Sequence, residues 1–433
     1  MAKRTFKTNI FGGRNREIIQ LTSIGVMVGM LTGFLSIAFN LFITRASEYL
    51  AVVGTWNLKP RFIVLPLLAG AIVSIMRDLI LQKDRSGFGV VPVMQELFHI
   101  QTFLMKPKDV IIKFLGTLVS VIGGLSVGRF GPVVHLGGAI GSNIGYLFKF
   151  KKNHIRLLIG CGVAGSIAGV FNAPLFATLF VLEILFNKKF LEYFTPIVLS
   201  SVTSIIVSRY FLGDYTIVSV SGHFGLLGYG ELINYAFLGL VFGGLGILYI
   251  KTIVKSKAFF ANAPWHPAVS PLIGGACIAF IGFFVPEIFE VYNYTIHKIA
   301  AGDFTLGFLL LLFVAKLLAT GISLGSGALG GSFTPGLFIG AAAGSFLGRV
   351  LELGFNIPVF SYGTYAVVGM AAMFSGFANA PLTATVMILE ITDNYELILP
   401  ILLATTVSSI TAELFYKETI YSVALNQLEE SEE

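Results

Sequence analysis

Long stretches without charge dominate the chain, broken by short polar interruptions. Residues 18–44, 317–348 and 353–389 contain no Asp, Glu, Lys or Arg. A helix crosses the hydrocarbon core of a membrane with roughly 20 apolar residues. Each stretch is therefore long enough to cross, and the last two hold more than one helix. Polar punctuation at Gln82-Lys83-Asp84-Arg85, 149–152 and Asn187-Lys188-Lys189 divides the first half. Elsewhere the apolar segments are closely spaced and often shorter than a span, with Gly and Pro inside them. Some of the 49 glycines permit close helix packing, and others mark helix breaks. The pattern predicts an all-α polytopic membrane protein with interrupted helices.

The apolar pattern also repeats. Residues 162–183, GVAGSIAGVFNAPLFATLFVLE, match 369–390, GMAAMFSGFANAPLTATVMILE, at an offset of 207. Asn172-Ala173-Pro174-Leu175 pairs with Asn379-Ala380-Pro381-Leu382, and Leu182-Glu183 with Leu389-Glu390. A second pair, 131–145 and 334–348, aligns at an offset of 203 through Pro132/Pro335, Gly137/Gly340, Gly141/Gly344 and Ser142/Ser345. Two homologous halves in an apolar chain point to a transporter or channel built from repeats, with its substrate site where they meet. The expected organisation is a basic N-terminus (1–17), a first membrane repeat (18–212), a linker (213–230), a second membrane repeat (231–415) and a C-terminal segment (416–433). The last segment ends in acidic residues and is too short for a regulatory domain.

Composition closes off other classes. The chain is 55% hydrophobic and 12% charged, against about 25% charged in soluble domains. Lys3, Arg4, Lys7, Arg14 and Arg16 precede the first apolar stretch. That stretch is too long for a signal-peptide core and lacks a cleavage site, so the basic segment is expected to stay cytoplasmic and orient the first helix. The net charge of +6 is then a topology signal and implies no nucleic-acid partner. Cys161 and Cys277 stand alone among apolar residues and read as free thiols. The six histidines lack metal-ligand spacing, and no metal or other cofactor is implied. His135, three residues past Pro132, reads as a packed core histidine more readily than as a pH sensor. Gly124 to Gly128 formally fits a nucleophile elbow and Gly325 to Gly330 a dinucleotide-binding turn. Neither has the strand, acid or base partners that its chemistry requires.

The chemistry points to an anion. Both halves carry a Gly-rich turn, then Pro, then an uncharged helix: Gly128-Arg129-Phe130-Gly131-Pro132 and Gly331-Ser332-Phe333-Thr334-Pro335. Proline suits the first helical turn, where its missing N–H costs nothing. A helix N-terminus with free N–H groups and a positive dipole end binds an anion without a full charge. Two such turns at matching repeat positions would face each other near mid-membrane. They would hold an anion strongly enough for entry and weakly enough for exit.

With these motifs on the page, the chain resembles the CLC family of chloride channels and chloride/proton antiporters over its whole membrane domain. GRFGP resembles the family's GREGP, GGSFTP resembles GGxFxP, and the FNAPL…LE helix and TIYSVAL segment also match. The resemblance implies two inverted-topology repeats with tilted and broken helices, and a homodimer with one anion pathway per subunit. It further implies a multi-pass integral protein, expected in a bacterial inner (plasma) membrane. Anion-binding positions carried over are the backbone of Arg129, Phe130, Gly131, Ser332 and Phe333, with the hydroxyl of Tyr421. From the family's first motif come Gly89, Val90 and Val91.

Departures from the pattern bear on mechanism. Phe130 stands where antiporters carry their gating glutamate, so the gate here is expected to be an aromatic ring. Ile184 stands where a second, internal proton glutamate often follows Glu183. The first motif reads Gly87-Phe88-Gly89-Val90-Val91-Pro92. Its central serine becomes Gly89, or Phe88 if one residue is inserted, and Leu329 replaces a common Pro. Loss of two proton-handling carboxylates favours a passive channel for chloride or a similar small anion, and no enzyme activity. The alternatives are an antiporter rerouted through a carboxylate such as Glu183, a fluoride-handling relative, and an intramembrane enzyme, which lacks any catalytic constellation. Glu183 and Glu390, at equivalent repeat positions, are intramembrane carboxylates and so functional suspects, with helix capping or interhelix hydrogen bonding the competing role. The ring of Phe130 would either swing aside or lie across the pore, and the sequence does not choose.

Overall fold

The computed structural model describes residues 9–53, 58–79, 89–98, 105–186, 190–213, 224–289 and 294–432. The first half supplies α1 (Asn9–Val53), α2 (Leu58–Leu79), α3 (Val90–Phe98), α4 (Pro107–Ile122), α5 (Phe130–Leu147), α6 (Lys152–Phe171), α7 (Pro174–Phe180) and α8 (Phe190–Leu212). The second half supplies α9 (Leu232–Ala261), α10 (Ser270–Phe284), α11 (Tyr294–Ala301), α12 (Leu306–Ser326), α13 (Phe333–Arg349), α14 (Tyr362–Ala378), α15 (Pro381–Thr392) and α16 (Ile398–Phe415). The last helix is α17 (Ile420–Glu432). Among the described residues eight helices are long and apolar enough to cross a membrane, and α7 and α15 belong to a shorter apolar class. The nine residues of α3 reach only about 14 Å at 1.5 Å each, less than half of a bilayer core. Interrupted helices are thus a property of the fold.

The breaks follow from local sequence. Asn172 ends α6 and Asn379 ends α14, both left-handed at φ 57° and 53°. Asparagine tolerates that conformation and stops a helix. Two residues on, Pro174 and Pro381 open α7 and α15 with the backbone angle a first turn needs. The Asn-Ala-Pro-Leu repeat is therefore a stop-and-restart signal used twice.

Small residues set the packing. α5 runs antiparallel to α6, Gly137 facing Gly162 and Gly141 facing Leu158. In the second half Gly340 faces Gly369 and Gly344 faces Tyr365 across α13 and α14. A Cβ on Gly340 would lie 2.6 Å from the Gly369 carbonyl oxygen, closer than van der Waals contact allows, so these positions accept no side chain without displacing a helix. α6 is buried throughout from Leu157 to Phe171 and forms the centre of its half. Large apolar side chains such as Ile206, Phe280 and Leu414 point outward, Leu414 being 76% exposed, as a lipid-facing surface requires.

The two halves are tied by reciprocal bonds. Among the described residues no strand forms, and the isolated β-bridge pairs Gly128 with Gly331. Gly128 N–H donates to the Gly331 carbonyl at 2.6 Å, and Gly331 N–H donates back at 2.9 Å. These residues are 203 apart, the repeat offset itself. The Glu183 carboxylate accepts from Leu382 N–H and Thr383 N–H at 3.3 and 2.7 Å, and from the Thr383 hydroxyl. Glu390 accepts from Leu175 N–H and Phe176 N–H at 2.9 and 2.7 Å. Each carboxylate caps the helix that opens the other half's copy of the motif. Exchange of bonds between equivalent residues is the mark of a two-fold axis relating inverted repeats. Both carboxylates cap helices, satisfying otherwise orphaned N–H groups.

Candidate functional site

Four helix N-termini converge near this axis. Gly89 precedes α3, Phe130 and Gly131 open α5, Ser332 and Phe333 open α13, and Ile420 and Tyr421 open α17, and all of them line one cavity of 490 Å³. Each helix contributes N–H groups without intrahelical partners and the positive end of its dipole. Four together make a cradle for negative charge on neutral atoms.

Backbone closeness brings the ends together. Gly89 has φ +79°, a conformation that L side chains rarely adopt. A Cβ on Gly89 would sit 3.1 Å from the Gly131 Cα, and one on Gly131 would sit 2.8 Å from the Gly89 Cα. The α3 and α5 ends thus touch backbone to backbone. The Gly128–Gly331 pairing joins the α5 turn to the α13 turn, and Tyr249 donates to the Ser332 carbonyl at 2.7 Å. Tyr421 is buried, and among the described residues its hydroxyl has no hydrogen-bond partner. An unpartnered buried hydroxyl carries a desolvation penalty of about 1–3 kcal/mol, which a bound anion would relieve.

Most of the residues expected from sequence meet here. Gly89, Val90, Val91, Phe130, Gly131, Ser332, Phe333 and Tyr421 all border the cavity. Arg129 lies just before α5, outside the lining. Gly89 stands immediately before α3; Phe88, the other candidate for the lost serine position, lies outside the described residues. Ile184 is half-buried in the π turn Val181–Leu185 that extends α7, away from the cavity lining. His135 is buried on α5.

Phe130 is 1% exposed and packed in an aromatic cluster. Its ring stacks on Phe333, with centroids 4.2 Å apart and planes at 20°. Phe180 meets it edge-on at 4.9 Å, and Phe171 and Phe176 approach at 5.5 and 6.0 Å. Phe180 in turn meets the Tyr421 ring at 6.4 Å. Phe130 and Phe333 are 203 residues apart, so the stacked pair consists of repeat equivalents. The ring therefore lies inward, against its counterpart.

Two lining residues bear no motif. Arg77, at the end of α2, and Lys257, near the end of α9, border the cavity, which no Asp or Glu lines among the described residues. A lone basic residue at a helix end reads from sequence as an interfacial charge. Their sharing a cavity depends on contacts between helices 180 residues apart.

Comparison with known proteins agrees with this architecture. Residues 69–413 match the family described as Voltage gated chloride channel. The chain is 30% identical over 431 residues to the H(+)/Cl(-) exchange transporter ClcA of Yersinia pestis bv. Antiqua, covering 95% of this chain and 88% of that one. It is 33% identical over 330 residues to the Putative chloride channel protein ClcB-like of Ralstonia nicotianae, covering 74% and 76%. Among solved structures, a slow cyanobacterial Cl-/H+ antiporter aligns with TM-score 0.81 and 24% identity, over 95% of this chain and 99% of that one. A CLC-type fluoride/proton antiporter aligns with TM-score 0.77 and 20% identity, over 94% and 98%.

Proposed function

From the premise that the chain belongs to the voltage-gated chloride channel family, we propose that it conducts chloride or a similar small anion passively, uncoupled from protons. Family membership and the spanning-length helices make it a multi-pass integral membrane protein. The working unit we assign is a homodimer with one pathway per subunit in a bacterial plasma membrane, on family kinship. The single observation that carries the reading is the cavity lining: four helix N-termini, the Tyr421 hydroxyl and two cations, with no carboxylate among the described residues.

Coupled exchange needs a group that takes a proton and competes with the anion. Phenylalanine at 130 has no proton to give and no charge for the amides to hold. Isoleucine at 184 is equally inert. Glu183 is the remaining candidate, and its oxygens are occupied by three donors at the start of α15. Moving it would strand those donors, at about 1–3 kcal/mol apiece. A second reading, exchange through Glu183, is favoured by the named activity of ClcA. The two are separated by chloride efflux from liposomes in lightly buffered medium. A passive conductor releases chloride with no proton movement beyond that of protein-free vesicles; an exchanger moves protons in stoichiometric amounts.

The anion site has its own expectation. A hydroxyl donating to a charged acceptor contributes about 1.5–3 kcal/mol. Tyr421→Phe is therefore expected to weaken chloride or bromide binding about tenfold or more, read by isothermal titration. Because the Phe130 ring does not depend on the Tyr421 hydroxyl, the variant should keep its fold. Equal affinities would remove Tyr421 from the site.

A further inference from the structure

The α5 and α13 turns match in sequence, yet the α13 turn is gripped by a tyrosine hydroxyl that has no counterpart in the other repeat. At α13 the Gly331 carbonyl accepts from Gly128 N–H at 2.6 Å. The next carbonyl, that of Ser332, accepts from Gly336 N–H at 3.1 Å and from the Tyr249 hydroxyl of α9 at 2.7 Å. Tyr249 is 0% exposed, and its ring centroid lies 5.3 Å from that of Phe377. Phe377 in turn packs against Gly336 in the first turn of α13. A fully packed ring thus aims the hydroxyl, and Tyr249 stands behind the cavity wall rather than in it.

Packing does not demand that hydroxyl. Gly29 and Gly33 of α1 lie against Ser200 and Ser204 of α8, as Gly239 and Gly243 of α9 lie against Ala404 and Ser408 of α16. The glycines match at an offset of 210, which pairs Tyr249 with Phe39. Phe39 is buried beside Phe114 of α4, their ring centroids 5.6 Å apart. Phenylalanine therefore fills the same place in the first repeat, and the oxygen on Tyr249 is an addition. Its effect follows from amide geometry. A planar trans peptide points its N–H opposite to its carbonyl, so holding the Ser332 carbonyl aims the N–H of Phe333. That N–H is one of the donors a helix start leaves without an intrahelical partner, at the end where Ser332 and Phe333 border the cavity. A bond received by the carbonyl also polarises the amide and strengthens its N–H as a donor. We infer that Tyr249 is a positioning residue for the anion site, its hydroxyl aiming and strengthening the Phe333 N–H through the Ser332–Phe333 peptide. The inference rests on the proposed function and adds to it a residue that never touches the anion.

Tyr249→Phe tests this, because it keeps the ring and leaves the Ser332 carbonyl its bond from Gly336 N–H. Isothermal titration of the purified full chain in detergent should show chloride affinity lowered about three- to tenfold. Isotope labelling of serine carbonyl carbons together with phenylalanine amide nitrogens selects two amides by NMR, Phe333 and Phe346, the phenylalanines that follow a serine. In the wild type, chloride should shift the Phe333 resonance and leave Phe346, far along α13, in place. In Tyr249→Phe the Phe333 resonance should move even without chloride, with Phe346 unmoved. Equal chloride affinity in the variant, or an unmoved Phe333 resonance, would overturn the inference. A shift at Phe346 as large as that at Phe333 would overturn it too, by making Tyr249 a packing residue for the whole helix. A wild type that binds no chloride would instead sink the proposed function, and this inference with it.

Discussion

Replacing Phe130 by alanine is expected to raise anion flux by about two to three orders of magnitude. The ring is buried against Phe333, Phe180, Phe171 and Phe176, at the head of α5 where the amide cradle opens. Withdrawing a buried Phe side chain costs about 2–3 kcal/mol, and losing an aromatic pair adds about 0.5–1.5 kcal/mol. At about 1.4 kcal/mol per tenfold, a pathway that must displace this ring is open only about 0.1–1% of the time. Truncation removes that step. Because a large-to-small change in an aromatic cluster leaves a cavity, Phe130→Leu serves as the companion, retaining bulk without the stacking. It should give an intermediate flux. Phe130→Glu should install a plug that titrates: ionised, it occupies the amides, so flux falls as pH rises above the carboxylate's pKa. Proteoliposome flux across pH 4 to 8 reads all three variants. Unchanged flux in Phe130→Ala together with a flat pH profile in Phe130→Glu would remove Phe130 from the pathway.

Much of this architecture is legible along the chain. The offset of 203 that aligns Pro132 with Pro335 also aligns Gly128 with Gly331 and Phe130 with Phe333. A two-fold axis brings equivalent residues together, so the β-bridge and the stacked ring pair are both implicit in that offset. The Asn-Ala-Pro-Leu repeat likewise announces its helix breaks. The competing capping role anticipated for Glu183 and Glu390 is the one both adopt, each at the start of the other repeat's helix. Other parts are illegible for physical reasons. Whether the Phe130 ring swings out or packs inward depends on Phe171, Phe176 and Phe180, which in sequence are ordinary members of apolar runs. Arg77 and Lys257 gain significance only from the cavity they share, since nothing at a helix end distinguishes a vestibule cation from a charge anchored at the membrane surface. Lys113 and Lys316, again 203 apart, are both buried. Lys316 donates to the Ile288 carbonyl at 2.8 Å and lies over the Phe338 ring, partners that local sequence does not specify.

The second large effect concerns coupling, and the same absent carboxylates determine it. On the proposed passive reading, phenylalanine at 130, isoleucine at 184 and a Glu183 held by three hydrogen bonds leave the pathway without its proton carriers. The most direct test is the zero-current potential of the reconstituted protein under a chloride gradient, first at equal pH and then with an opposing proton gradient of two pH units. The account requires a potential at the chloride equilibrium value, about 59 mV for a tenfold gradient, with no shift when the proton gradient is imposed. A displacement of the potential toward the proton equilibrium value would contradict it and assign the chain to coupled exchange.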